Sequence, residues 1–416
     1  MLEPHNAGQA LKCRHCDSKL QHMFLDLGSS PPSNAYLKSE DLNKAEVWLP
    51  LRVMVCESCW LVQTIDFAGR EHLFNEEYAY FSSCSSSWLR HAEEFVLDVT
   101  KRFGLDQNSL VLEVAANDGY LLQYLNRDGI PCYGVEPTAS TASAARAKGL
   151  TIFEDFFGTE FAQKLCEEGR QVDLSVANNV LAHVPDLNDF VSGFSMILKP
   201  DGVASFEFPH LLNLVTQNQF DTVYHEHYSY LSLIAVKAIF EKNGLQVFDA
   251  QKLPTHGGSL RVFAQRMDSG KRFVADSVQH LLEEERNAGM AQLSFYQHAQ
   301  VRAEAAKFGL LEFLLSAKKN GKRVAAYGAA AKGNTLLNFA GVRQDLLDFV
   351  VDINPHKQGK YLPGSRIPIV GLNHLEQAKP DYLLVLPWNL LPEIRTQLGQ
   401  QYQLVVAIPS LEIKGK

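Results

Sequence analysis

From about residue 108 onward the chain repeats one unit, a short apolar run followed by a small-residue turn and an amphipathic segment, and this constrains the fold more than anything else in it. Ser109 to Ala115 is apolar, Ala116-Asn117-Asp118-Gly119 turns, and Tyr120 to Leu125 reads as helix. Further strands are expected at Cys132–Glu136, Leu150–Phe153, Val172–Ala177 and Gly202–Glu207, with an antiparallel edge strand at Leu260–Arg266. Such alternation requires a mostly parallel sheet covered on both faces. After a long polar helical stretch from 276 to 319, which reads as a connector, the pattern restarts with strands at Arg323–Gly328, Leu347–Asp352 and Tyr382–Pro387. With 416 residues the chain exceeds one ordinary core. The expected class is α/β with two Rossmann-like units.

Ahead of this pattern stand two knuckles, Cys13-Arg-His-Cys16 and Cys56-Glu-Ser-Cys59. Four thiolates so spaced suit a tetrahedral zinc ion and leave no open position for water, so the metal is expected to be structural. Redox pairing of the thioredoxin type would need a βαβ context that is missing here. The seven cysteines are an odd number in a chain too long to need a disulfide framework, which fits a reducing compartment. His15, inside the first knuckle, is expected to face solvent or to support the ligands from outside.

The turn after the first strand lacks the G-x-G-x-x-G fingerprint of a dinucleotide site. A sulfonium nucleoside carries no pyrophosphate, so a glycine-poor turn favours S-adenosylmethionine. Glu136, at the end of the next strand, is placed to accept hydrogen bonds from ribose hydroxyls. Asp155-Phe156-Phe157 offers an acid and aromatic faces for adenine. Later, Phe220 to Tyr230 packs two imidazoles, two acids and three phenols into eleven residues, a density that reads as an active site. His225-Glu226-His227 also has the residue types of a metal site, but H-E-x-x-H is absent and further ligands would be needed.

The run Leu112-Glu-Val-Ala-Ala-Asn-Asp-Gly-Tyr-Leu-Leu122, with Gly134-Val-Glu-Pro137 and Ala177-Asn-Asn-Val-Leu-Ala-His-Val184, resembles the class I methyltransferase core of the deoxysugar C-methyltransferases. The likeness spans essentially the whole chain. It implies a zinc-binding lobe over residues 1–70, a methyltransferase core over 71–275, and a helical connector with an α/β nucleotide-sugar-binding domain over 276–416. It carries over Glu113, Ala115, Asn117, Gly119, Glu136, Asp155, Phe156 and Asn178 as the donor-binding set. It also implies an active-site set of Tyr78, His183, Tyr224, Glu226 and His227.

The reaction implied is C-methylation of a nucleotide-linked 4-keto-deoxysugar, with C3 favoured. A ring carbon becomes nucleophilic only when a neighbouring ketone acidifies its proton, so a base near neutral pKa and donors for an enolate oxygen are needed. His227 is assigned as the base, oriented by Glu226, with Tyr224, Tyr78 and His183 as donors or relays, although the sequence does not fix which of His227 and Tyr224 takes the proton. Lys332, Asn334 and Thr335, at a strand-to-helix turn, suggest an anion cradle, and Asp352, Asn354 and Lys357 lie at the end of the following strand. Together they are expected to hold the substrate's nucleotide diphosphate, thymidine- or guanosine-linked.

The net charge of −8, without a run of lysine or arginine, argues against a nucleic-acid partner. The opening residues lack a basic stretch followed by an apolar core, and no run approaches a membrane span, so a cytoplasmic chain with no membrane partner is expected, as a monomer. Rival readings are sugar O- or N-methylation, an NAD(P)-dependent oxidoreductase of a nucleotide sugar, and a non-catalytic zinc adaptor.

Overall fold

The computed structural model describes residues 11–66 and 81–414. Its central sheet has seven strands in the order Ile152–Phe153, Cys132–Val135, Val111–Val114, Val172–Asn178, Leu198–Pro209, Ser259–Arg266 and Leu245–Leu253. The first five run parallel, and the last two are antiparallel to their neighbours. All four residues of Val111–Val114 are buried, because helices cover the sheet on both sides. Ser86–Phe103 and Leu122–Arg127 lie on one face; Thr159–Glu167, Leu187–Ile197 and Leu233–Lys242 lie on the other.

Chain order reverses beside Val111–Val114: the next two strands build outward on one side, and the fourth returns to the other. A crevice opens at such a switch point, at the carboxyl ends of the strands. The strand expected at the antiparallel edge, Leu260–Arg266, lies one place inside it, because Leu245–Leu253 pairs on its outer side.

A second sheet follows the order Ile369–Val370, Val350–Val351, Val324–Tyr327, Tyr382–Val385, Gln403–Val406 and Glu412–Lys414. Five strands are parallel and the last is antiparallel. It too has a switch point, at Val324–Tyr327. The stretch expected to be a connector is divided between the two cores: helix Asp276–Asn287 packs Val278, Leu281 and Leu282 against the central-sheet unit, and helix Ala299–Lys319 belongs to the second. Helix Ala299–Lys319 buries Ala303, Ala306, Leu310, Leu314 and Ala317, and the small alanines on its buried stripe made it read as polar.

The third sheet is antiparallel, with His22–Ser30, Leu49–Val55 and Val62–Thr64 joined by Ser229–Tyr230. Its fourth strand therefore comes from the end of the histidine-rich segment, far along the chain, and ties the amino-terminal lobe to that segment through main-chain hydrogen bonds.

Candidate active site

The donor side is built from backbone. Val111–Val114 ends in a turn with Ala115 at φ 57°, Asn117 at 50° and Gly119 at 75°. Two of these are non-glycine residues in the left-handed region, a cost of roughly 1–2 kcal/mol each that is typically met at functional turns. Gly119 is required, since a Cβ there would lie 2.3 Å from Leu150 Cδ1. Gly134 is required as well, because a Cβ would meet Ala116 Cβ at 2.6 Å.

Glu136 fixes the turn: one carboxylate oxygen accepts from the Asn117 amide and the other from the Thr138 amide, both at 2.9 Å. Burial pushes its carboxyl above the usual range, against the pull of those amides. Its remaining lone pairs are those a ribose would use. Glu113 lies beneath the turn, where burial drives its carboxyl well up. Asn117 Oδ1 accepts from the Ser82 amide at 2.9 Å, anchoring the segment that leads into helix Ser86–Phe103.

Asn178 ends the fourth strand nearly buried, with its Oδ1 lacking a partner. A buried amide oxygen left open beside the switch point suits a polar ligand. Asp155 is exposed and accepts from the Phe156 amide at 2.8 Å, and Phe156 is half-buried beside it. Phe157 departs from expectation: it packs edge-on against Phe190 and Phe194 in the core and offers adenine no face. The donor set thus surrounds the crevice with a carboxylate, an open amide and close-approach backbone, which fits an adenosyl group.

The acceptor side is built from side chains of several segments. His227 Nδ1 lies 2.8 Å from the Thr222 carbonyl, and its Nε2 lies 2.7 Å from the Tyr224 hydroxyl. The carbonyl can only accept, so Nδ1 carries the proton and Nε2 accepts from the phenol. His183 Nδ1 donates to the Glu226 carbonyl at 2.7 Å, and its ring centre is 4.6 Å from that of His227. Burial holds the His227 imidazole well below its usual pKa, with His183 adding to the effect. Burial also pulls His183 down to about 4. Both rings are neutral at physiological pH.

Glu226 does not orient His227, contrary to expectation. Its side chain points away, accepting from the Asn34 amide and from Asn34 Nδ2, each at 3.1 Å. The Thr222 carbonyl does the orienting instead. His225 turns toward the Leu49 and Pro50 carbonyls, so the three residues of the His-Glu-His run diverge and share no metal site. Tyr78 lies outside the described residues.

Lys332 stands on the wall of this site. Its amine donates to Asn389 Oδ1 at 2.8 Å and sits 4.5 Å from the Trp388 ring centre. Its charge reaches His227. Burial lowers the lysine, and Asp221 pulls it back up. Asp221 in turn is pushed up to about 6 by burial, although it accepts from Trp388 Nε1 at 2.8 Å.

The other two members of the expected cradle are interior. Asn334 is 0% exposed and donates to the Ser33 carbonyl at 2.6 Å, while Thr335 is 2% exposed and donates to the Val223 carbonyl at 2.8 Å. Their side chains bind lobes together and are not turned to a phosphate. Asp352 accepts from the Ala329 and Asn354 amides, and Lys357 donates to the Ala329 carbonyl, which also accepts from Tyr36. These groups lie where Phe81 stacks on His356, beside the donor turn.

The four expected metal ligands converge. Cys13 and Cys59 sulfurs are 3.5 Å apart, as are those of Cys16 and Cys56, and all four lie within 4.8 Å of one another. A tetrahedral ion with Zn–S bonds near 2.3 Å needs sulfur separations of roughly 3.8 Å. The set fits zinc. Gln63 Nε2 donates to Cys13, and His15, expected at the surface or outside the ligand shell, is buried and bonded to Asn188 Oδ1 at 2.9 Å.

Sequence reading missed Asn34, His256, Trp388 and Asn389, which stand outside the segments it singled out, and it counted Asp221 within Phe220–Tyr230 without giving it a role. Only the Thr255-His-Gly-Gly258 turn carried a local signal, a histidine followed by two glycines.

Three family models tile the chain: a zinc binding domain over 13–74, a methyltransferase domain over 88–250 and a C-methyltransferase C-terminal domain over 254–409. Over 383 residues the chain is 34% identical to the C-methyltransferase NovU of Streptomyces niveus, spanning 92% of this chain and 91% of that one. The chain belongs to this C-methyltransferase family. A more distant relative, the ubiquinone biosynthesis O-methyltransferase of Salmonella paratyphi A, is 26% identical over 147 residues, 32% of this chain and 60% of that one. Among solved structures, the magnesium protoporphyrin IX methyltransferase of Synechocystis PCC 6803 aligns with 43% of this chain and 83% of its own, at 17% identity and a TM-score of 0.36.

The C-methyltransferase is therefore an S-adenosylmethionine-dependent enzyme with a zinc-binding amino-terminal lobe. No described helix is long and apolar enough to cross a membrane.

Proposed function

We propose that this C-methyltransferase acts on a nucleotide-diphosphate-linked 4-keto-deoxysugar and adds the methyl group at the carbon beside the ketone, C3 being favoured over C5. The observation that carries the reading is the Tyr224–His227 pair, a phenol donating to a neutral imidazole near a half-buried lysine. Oxygen or nitrogen methylation needs little more than a positioned lone pair, whereas carbon methylation needs a proton taken from carbon.

Tyr224 is the outer member of the pair and His227 the inner. As the carbon-bound proton passes to the phenol oxygen, the phenol proton passes to His227 Nε2. That leaves an enolate on the sugar, a neutral Tyr224 and an imidazolium whose Nδ1–H stays on the Thr222 carbonyl. Lys332, whose charge reaches His227, is the cation available for offsetting the negative charge that develops on the oxygen. Glu136, Asn178 and the Ala115–Gly119 turn would hold S-adenosylmethionine, which supplies an electrophilic methyl group when bound. The diphosphate is assigned to Lys332 with Lys357, beside Asp352 and Asn354, and Tyr78 keeps the acceptor role that the family resemblance implies.

The test is incubation with S-adenosylmethionine and a panel of thymidine- and guanosine-diphosphate keto-sugars, read by mass and NMR. A methyl group on a ring carbon, formed only from 4-keto substrates, is the expected product. Methylation of a hydroxyl or amine, or product from a sugar lacking the ketone, would overturn the proposal. In a parallel titration, Lys332→Ala should weaken nucleoside diphosphate binding about tenfold, and unchanged affinity removes Lys332 from that role.

A further inference from the structure

The hairpin joining Leu245–Leu253 to Ser259–Arg266 turns through Thr255, His256, Gly257 and Gly258. His256 sits at φ 55°, ψ 21°, a left-handed conformation that a histidine adopts rarely. Its surroundings enforce it. Gln219 Nε2 donates to the Gly257 carbonyl at 2.8 Å, Thr255 Oγ1 donates to Glu207 at 2.9 Å, and a Cβ on Gly257 would lie 2.5 Å from the Trp388 ring. A backbone held this way against its preference is characteristic of a functional position.

The imidazole lies where the two sides of the cleft meet. Its ring centre is 5.2 Å from that of Trp88, which stacks on Tyr120 of the donor turn at 5.9 Å. The backbone of the adjacent Gly257 rests against Trp388, which carries Lys332 on its face. The ring is half-buried, and among the described residues it makes no hydrogen bond. Burial, with Lys332 adding to it, brings His256 down to about 4. It is a neutral ring carrying one N–H donor, next to a cation and, among the described residues, without an acceptor. An incoming anionic oxygen would satisfy both neighbours at once.

We propose that His256 is a substrate-binding residue whose ring N–H donates, beside Lys332, to an anionic oxygen of the acceptor substrate. This rests on the carbon-acid reading of the site given above. That chemistry has two sources in one substrate, a diphosphate oxygen and the enolate oxygen, and they separate kinetically.

The variant for the test is His256→Gly, which keeps the left-handed backbone without strain and deletes the ring. Its kcat/KM should fall about 10- to 100-fold, with Tm equal to the parent's or higher and part of the rate restored by added imidazole. A fall in KM-side terms with weaker nucleoside diphosphate affinity assigns the oxygen to the diphosphate. A fall in kcat with that affinity intact assigns it to the enolate. His256→Asn, which also tolerates the left-handed region, replaces the glycine variant should that one misfold. Turnover within twofold of the parent in the folded variant, while Tyr224→Phe is inactive, overturns the role of His256 alone. Turnover kept in both variants overturns the carbon-acid reading beneath it.

Discussion

The two sides of the cleft are made differently. The candidate donor side lies within one fold unit: the Ala115–Gly119 turn, Glu136 that braces it and Asn178 all stand at strand ends of the central sheet. The acceptor side draws Tyr224 and His227 from one segment, His183 from another, Lys332 and Trp388 from the second sheet, and Asn34 from the zinc-binding lobe. On the proposed reading, the difference teaches that methyl-donor binding would be a property of one fold unit, whereas carbon-acid chemistry would be a property of the whole assembly. Damage to the periphery should therefore separate the two.

Zinc removal should separate them most sharply. Strand Val62–Thr64, just beyond Cys59, pairs with Ser229–Tyr230, just beyond His227, so loss of the metal should loosen the segment that carries the proposed Tyr224–His227 pair. Cys56→Ser, or treatment with a strong chelator, should abolish turnover while S-adenosylmethionine affinity stays within a few-fold by calorimetry. Equal loss of donor affinity would erase the distinction between the two sides.

Tyr224→Phe comes next. It keeps the ring and removes the proton path to His227, so kcat should drop on the order of 10²-fold or more with donor affinity retained. Gly119→Ala is the converse. The left-handed φ and the collision with Leu150 should weaken donor binding by about tenfold and lower stability by roughly 1–3 kcal/mol, seen as a rise in Kd and a fall in Tm.

The smallest effect is in pH. An imidazolium cannot accept the phenol's proton, and burial lowers His227 well below its ordinary value, so the neutral, active form persists as pH falls past 6.5. The acid limb of kcat/KM should accordingly lie below that of a free imidazole, and an acid limb at 6.5 or above would show that the base is solvated.

The asymmetry also decides what could be read from the chain. The donor turn was legible because its parts are contiguous: an apolar strand, a turn and an acid twenty residues on. The cysteine knuckles were legible because ligand spacing is a local constraint, and the alternation of strands and helices announced both parallel sheets. The partners of the histidine-rich segment were not. Glu226 stands next to His227 along the chain and so looked like its support, yet the turn at Tyr224–His227 sends the two side chains to opposite sides. Asn334 and Thr335 looked like phosphate ligands because they open a helix, but packing against Ser33 and Val223 claims them. Helix Ala299–Lys319 hid its core role behind alanines.

The most direct measurement is hydrogen exchange at carbon, made without methyl transfer. With S-adenosylhomocysteine filling the donor side, a nucleotide-linked 4-keto-deoxysugar in D2O should take up deuterium beside the ketone at a rate that falls about 10²-fold in Tyr224→Phe. Exchange no faster than in buffer, under conditions where the enzyme methylates the same sugar once given S-adenosylmethionine, would contradict the account.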